Sequence, residues 1–300
     1  MAPDVGRWGI VHGVEGVVPT MNTNTTVPLI TLNDGSQIPQ LGFGVFQIEP
    51  AETQDATLSA FEAGYRHIDT AEMYGNEEGV GQAVAASGID RSEIFITSKL
   101  NNGFHERDAA LAAFDRTMDL LGLEYLDLFL IHWPLPAVGN FVDTWKAMEE
   151  MKATGRVRSI GVSNFQPHHL QRLFDETGTV PSVNQIEVHP YLTQDDVRAF
   201  NTEHGIATES WSPIAQGKVL GDPAITAIAD RLERSAAQVV LRWHIQRGDI
   251  VFPKSVTRSR VEENFALFDF ELDAADVAAI TALNRDERTG PNPDEFNWIP

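Results

Sequence analysis

The run Tyr65-Arg66-His67-Ile68-Asp69-Thr70-Ala71-Glu72-Met73-Tyr74 decides how this chain folds. A short hydrophobic stretch with strand character stops on an aspartate, and a loop carrying a tyrosine follows. The pattern recurs: Ile94-Phe95-Ile96-Thr97-Ser98 stops on Lys99, and Leu128-Phe129-Leu130-Ile131 stops on His132, followed by Trp133 and Pro134. Carried on successive parallel strands of one barrel, Asp69, Lys99 and His132 meet on its C-terminal face, with Tyr74 leaning over them from its loop.

Outward from these runs, short apolar strands alternate with amphipathic helices. Helices are predicted over Thr53–Ala63, Asn76–Ala86, Arg107–Leu121, Phe141–Thr154, Pro167–Thr177 and Asp195–Glu203, and one long helical region over Ala224–Gln246. Strands are predicted at Phe43, Tyr65–Asp69, Ile94–Lys99, Leu126–Ile131, Ser159–Val162, Val183–Val188, Ile206–Glu209 and Ile250–Phe252, with final helices over Arg260–Phe265 and Ala274–Leu283. About eight strand–helix units in a chain of this length predict an α/β fold, a (β/α)8 TIM barrel. Ahead of them, Leu29–Leu32 and Gln37-Ile38 flank Asn33-Asp34-Gly35, a turn sequence suited to positive φ, so a β-hairpin is expected to close the barrel bottom. A doubly wound sheet competes, but no Gly-x-Gly-x-x-Gly follows any strand. Residues 1–26 read as an N-terminal extension, disordered or from a mis-assigned start, and residues 27–300 as the barrel domain. The Pro-, Asn- and Asp-rich stretch Arg285–Pro300 is expected to run irregularly over one barrel face.

The strand-end residues make a proton-donor site. A free tyrosine, with a pKa near 10, is a poor acid at neutral pH; an ammonium within a few Å favours the phenolate and lowers that value. Lys99 can supply the charge, and Asp69 can keep a buried lysine charged. Tyr74 then serves as general acid, and His132 can orient a substrate oxygen by donating a hydrogen bond.

Composition narrows the partners. A formal charge of −21 argues against nucleic acid or an anionic membrane surface as a partner. The absence of cysteine removes disulfides, thiol nucleophiles and thiolate metal sites, and no His-x-His pair occurs, so no metal is expected and a cytoplasmic protein is the natural reading. Further polar groups stand at later strand ends: Ser163-Asn164, Asn184-Gln185, the run Glu209-Ser210-Trp211-Ser212-Pro213, and Pro253-Lys254-Ser255. Amides and hydroxyls there can hydrogen-bond a carboxamide, and Trp211 can stack on a flat ring. Lys254, Arg258 and Arg260 cluster in an acidic chain beside a helix start, which suits a phosphate.

From Val27 to Pro300 the chain resembles the aldo-keto reductases, most closely the bacterial diketogluconate reductase-like branch. The resemblance is carried by Gly64-Tyr65-Arg66-His67-Ile68-Asp69-Thr70-Ala71 with Tyr74-Gly75-Asn76-Glu77, by Ser159-Ile160-Gly161-Val162-Ser163-Asn164-Phe165, by Asn184-Gln185-Ile186-Glu187, and by Pro253-Lys254-Ser255-Val256-Thr257. It implies an NADPH-dependent reductase of aldehydes and ketones whose cofactor lies on the barrel without a Rossmann fold, with Asp69, Tyr74, Lys99 and His132 as catalytic residues. It further implies that Ser163, Asn164 and Gln185 hold the nicotinamide carboxamide, with Trp211 stacking and Ser212, Pro213 and Ile214 following in the same cofactor loop. Lys254, Ser255, Val256, Thr257 and Arg260 would surround the 2′-phosphate, and Glu263 and Asn264 the adenine. Phe46, Asn101, His132, Trp133 and Trp298 are candidate substrate walls. Asn101 stands where many relatives carry tryptophan and the C-terminal segment is short, so better-known members do not set the substrate. The amides of Asn101 and Asn102 could hydrogen-bond a neighbouring hydroxyl or second carbonyl, which points toward small polar aldehydes, α-dicarbonyls or diketogluconate-type keto-sugar acids. The expected protein is a monomer acting on a small carbonyl compound. Two rivals remain open: a Schiff-base aldolase using Lys99 as nucleophile, and a non-catalytic, NADPH-sensing interaction subunit.

Overall fold

A computed structural model describes residues 27–138 and 140–300; the expectation for residues 1–26 lies outside the described residues. Strands β1 (Leu29–Thr31) and β2 (Gln37–Pro39) pair antiparallel around the Asn33-Asp34-Gly35 turn. Asn33 Nδ2 donates to Pro181 O at 2.9 Å and Ser182 Oγ to Asp34 Oδ2 at 3.1 Å, which docks the turn just ahead of a barrel strand. The predicted hairpin thus covers the N-terminal end of the barrel.

The barrel strands are β3 (Phe43–Gly44), β4 (His67–Asp69), β5 (Phe95–Leu100), β6 (Leu126–Ile131), β7 (Val157–Ser163), β8 (Val183–Glu187), β9 (Ala207–Trp211) and β10 (Ile250–Val251). They run in sequence order, each parallel to the next, and a parallel bridge between Leu41 and Val251 joins the first to the last. The (β/α)8 fold is therefore as expected. With helices outside and side chains inside, β5 and β6 are buried along their whole length, which is why they read as continuous apolar runs. Leu32 and Ile38 of the hairpin region pack with Phe95, Leu128, Leu130, Val183, Ile250 and Phe252 to fill the lower interior.

The helices are α1 (Pro50–Ala63), α2 (Glu77–Ala86), α3 (Arg107–Leu121), α4 (Phe141–Ala153), α5 (Pro167–Glu176), α6 (Asp195–Glu203), α7 (Pro223–Leu232), α8 (Ala236–Gln246), α9 (Arg258–Phe265) and α10 (Ala274–Thr281). The long helix expected over Ala224–Gln246 is in fact two. Glu233 adopts a left-handed φ of 53°, and Ser235 then caps α8 reciprocally with Gln238. The chain after α10 is irregular and lies over the C-terminal face, reaching Asn102 and Ala137 there. Among the described residues, no helix is long and apolar enough to cross a membrane.

Candidate active site

Most of the polar residues singled out at strand ends gather on the C-terminal side of the barrel; Asn184 does not, being the second residue of β8 and donating to Phe165 O and Asn201 Oδ1 instead. Asp69 ends β4, Lys99 is the penultimate residue of β5, His132 follows β6, Ser163 ends β7, Gln185 lies in β8 and Trp211 ends β9. A short 3-10 turn over Glu72–Tyr74 brings the tyrosine back over the strand ends, and Asn76 fixes that turn by donating to Val45 O and Ile48 O of the neighbouring loop.

Lys99 is the hub. Its Nζ donates to Asp69 Oδ1 at 2.7 Å, to Thr70 O at 2.8 Å and to Tyr74 Oη at 3.4 Å, with its side chain fully buried. Burial alone would strip the proton, yet the charge and hydrogen bond of Asp69 hold the lysine above its usual value, so it is an ammonium at neutral pH. Burial pushes the Tyr74 phenol up, the Lys99 charge pulls it down, and Asp69 pushes it up again; the net shift is upward. This corrects the expectation of a lowered phenol. The lysine acts in the predicted direction, but its charge is already engaged by Asp69, and removing a phenolate from water costs more. Burial, reinforced by Lys99, holds the His132 imidazole well below its ordinary range, so it is neutral, with Nδ1 buried and unpartnered. The Tyr74 and His132 rings meet edge to face at 5.8 Å.

Behind this group stands a carboxyl to which the sequence reading gave no role. Gln185 Nε2 donates to Asp69 Oδ2 at 2.9 Å and to Glu209 Oε2 at 2.8 Å, while Glu209 Oε1 is buried without a partner. Burial, and then the like charge of Asp69, push Glu209 up to about 8.

Tyr74, His132 and Asp69 open onto a cavity of about 560 Å³. Phe46, Met73, Trp133, Ser163, Asn164, Gln185, Trp211 to Ile214, Lys254 and Asn264 all contribute to its lining. Asn164, at a left-handed φ of 65°, accepts from Trp211 Nε1 at 2.9 Å and donates to His132 O at 3.0 Å. The indole, the backbone and the histidine are thereby locked together. Trp133 packs on Phe296 of the C-terminal segment at 4.3 Å.

Other candidates lie apart from the lining. Asn101 is nearly buried with Oδ1 unpartnered, and Trp298 is half exposed, its carbonyl accepting from Asn102. Neither forms the cavity wall. Ser255, Val256, Thr257 and Arg260 are not in its lining and sit around the start of α9, with Val256, Thr257 and Arg260 exposed, and Glu263 lies in the last turn of the same helix. Arg258 is engaged by Glu62 and Glu262. Gln47, Gln216, Thr289, Gly290 and Pro291 do line the cavity and were not foreseen; only the Pro, Asn and Asp content of the C-terminal segment hinted at its place. Among the described residues His168, His169 and Asp294 lie close enough to hold a cation. The Gln166 N–H donates to His169 Nδ1 at 3.2 Å, however, which leaves the ring proton on Nε2, the atom facing Asp294.

The donor set suits a dinucleotide of the expected type: amides and a hydroxyl for a carboxamide, an indole for a flat ring, and cations for a phosphate. Comparison with known proteins gives the same direction. A model described as "Aldo/keto reductase family" matches residues 40–285. An aldo-keto reductase of Mycobacterium sp. strain KMS is 52% identical over 271 residues, covering 90% of this chain and 98% of that protein. The methylglyoxal reductase DkgA of Escherichia coli K12 is 49% identical over 275 residues, covering 91% and 98%. A crystal structure of a Gox0644 mutant in complex with NADPH superposes with a TM-score of 0.88 at 47% identity, covering 91% of this chain and all of that one.

Proposed function

The chain belongs to the aldo/keto reductase family, and from that membership we propose a specific division of labour for its NADPH-dependent carbonyl reduction. The nicotinamide, when bound, supplies a hydride to the carbonyl carbon. Tyr74 holds the proton for the carbonyl oxygen: its raised value keeps the phenol protonated throughout neutral pH. Lys99, kept charged by Asp69, offsets the cost of the phenolate that remains. His132, neutral, donates a ring N–H toward the same oxygen and fixes its direction.

The observation that carries this reading is the buried Lys99 ammonium shared between Asp69 and Tyr74, both of which line the cavity. The same observation disfavours a Schiff-base aldolase, because a fully buried lysine held protonated is not a nucleophile. Ser163, Asn164 and Gln185 would hold the carboxamide, Trp211 would stack on the ring with Ser212, Pro213 and Ile214 beside it, and Lys254, Ser255, Val256, Thr257 and Arg260 would meet the 2′-phosphate, with Glu263 and Asn264 at the adenine.

For the substrate we propose small polar aldehydes and α-dicarbonyls, with keto-sugar acids of the diketogluconate type. The support is the polar groups of Tyr74 and His132 set among Phe46 and Trp133 in the cavity lining, and the 49% identity to a methylglyoxal reductase. Comparing kcat/KM for methylglyoxal, a diketogluconate and a steroid ketone with NADPH tests it; a steroid preferred over both small substrates defeats this assignment.

A further inference from the structure

Glu187, the last residue of β8, takes no part in the reaction above, yet its carboxylate is fully buried and heavily engaged. Oε1 accepts from Thr289 N and Thr289 Oγ1, each at 2.5 Å, and from His189 Nε2 at 3.1 Å. Gly290 N donates to both oxygens at 3.2 Å, and Arg288 Nη1 lies 3.9 Å from Oε2. Burial works against the charge, but the bonds from His189 and Thr289 outweigh it and hold the carboxyl below its ordinary value. One anion thus gathers the backbone of a distant segment.

That segment presses on the indole. Glu187 and Trp211 are register partners across β8 and β9. A Cβ built on Gly290 would meet Trp211 Cη2 at 2.4 Å and Cζ3 at 3.1 Å, so the glycine backbone passes directly against the benzene edge of the ring. At the opposite end of the indole, Nε1 is held by Asn164 Oδ1 at 2.9 Å. A single hydrogen bond at Nε1 leaves the ring free to swing about that point; a backbone fixed at the far edge removes the swing.

We propose that Glu187 is a positioning residue for the stacking indole: through Thr289 and Gly290 it clamps the C-terminal segment against Trp211, so that cofactor affinity depends on a carboxylate the cofactor does not touch. The proposal rests on the reading of Trp211 as the stacking group. Glutamine at Glu187 keeps the volume but turns an NH2 toward backbone donors, and alanine at Gly290 forces the ring aside without altering any charge.

The test is NADPH affinity, by fluorescence titration of the full chain, for wild type, Glu187→Gln, Gly290→Ala, Trp211→Ala and the double variants with Trp211→Ala, with thermal melts alongside. The expected result is a tenfold to hundredfold loss for each single variant, and double variants no weaker than Trp211→Ala alone, because the clamp acts only through the ring. If Glu187→Gln does not fold, Gly290→Ala carries the same comparison. Wild-type affinity in Glu187→Gln and Gly290→Ala beside a weakened Trp211→Ala overturns the clamp and leaves the stacking role standing. Additive losses in the double variants overturn it as well, pointing to general loosening. Unchanged affinity in Trp211→Ala removes the stacking role itself, and the clamp with it.

Discussion

Replacing Glu209 with glutamine should make the stability of the protein less dependent on pH, in a direction fixed by the geometry. Glu209 is fully buried, its Oε2 accepts from the same Gln185 NH2 that serves Asp69, and its Oε1 has no partner, so the site offers a carboxylate too little to offset desolvation. The folded value of about 8 lies above the ordinary 4.5, so between those values the folded state holds a proton that the unfolded chain has released. Stability therefore falls as pH rises through that window, by at most ~1.4 kcal/mol per pH unit, and the slope from this group vanishes above it. In Glu209→Gln that contribution is gone. Urea unfolding of wild type and variant at pH 5, 7 and 8 should show the variant gaining roughly 2–4 kcal/mol relative to wild type between pH 5 and pH 8, whatever fixed cost the amide brings at all three. Glu77, pushed up to about 7 by burial, titrates in the same range in both proteins and cancels in the difference. A wild-type-minus-variant difference that stays constant from pH 5 to pH 8 would mean that Glu209 is already ionised in the folded protein, and the charge balance around Asp69 and Lys99 would have to be redrawn.

Arg260→Ala should erode the preference for NADPH over NADH. A charge-assisted hydrogen bond contributes roughly 1.5–3 kcal/mol, which corresponds to about a tenfold to hundredfold loss in the ratio of kcat/KM for the two cofactors. An unchanged ratio would place the 2′-phosphate elsewhere, with Lys254 next to be replaced. Gly81→Ala should destabilise the protein without touching the site, because its Cβ would lie 2.2 Å from Leu121 O at the end of α3, a backbone atom that cannot step aside. Overpacking of this kind costs about 1–3 kcal/mol, readable as a lowered urea midpoint with unchanged KM for NADPH, and a wild-type midpoint would show that α2 and α3 separate easily.

The parts of this account that were legible in the sequence are those written locally. Asp69, Lys99 and His132 each terminate an apolar run, so one rule about barrel strands assembles them, and strand–helix alternation supplies the rule. The two-helix break near Glu233 was missed: the Ser235 and Gln238 capping pair marks it, but it hid among good helix formers on both sides. What stayed out of reach depends on burial and on contacts across the chain. The balance at Tyr74 is set by how far Phe46 and His132 exclude water from the phenol, which no spacing reveals. Glu209 meets Asp69 through Gln185, whose bond to Asp69 joins residues 116 positions apart. Asn101 was singled out by comparison with relatives' tryptophan, but the chain turns it away from the cavity wall. The C-terminal segment read as irregular cover, and only its folded path shows Gly290 against Trp211.

Tyr74→Phe is the most direct test of the central claim, because it deletes one oxygen from a half-buried ring that packs on Phe46 at 4.9 Å and leaves Lys99, Asp69 and the rest of the cavity lining in place. The measurement is single-turnover reduction of methylglyoxal with saturating NADPH, paired with an NADPH titration of the same sample. The account predicts a fall in the rate of reduction of about 10²–10⁴-fold, the usual contribution of a positioned general acid, with NADPH affinity close to wild type. A variant that keeps most of its rate while binding NADPH normally would contradict it, and the proton would have to come from another group.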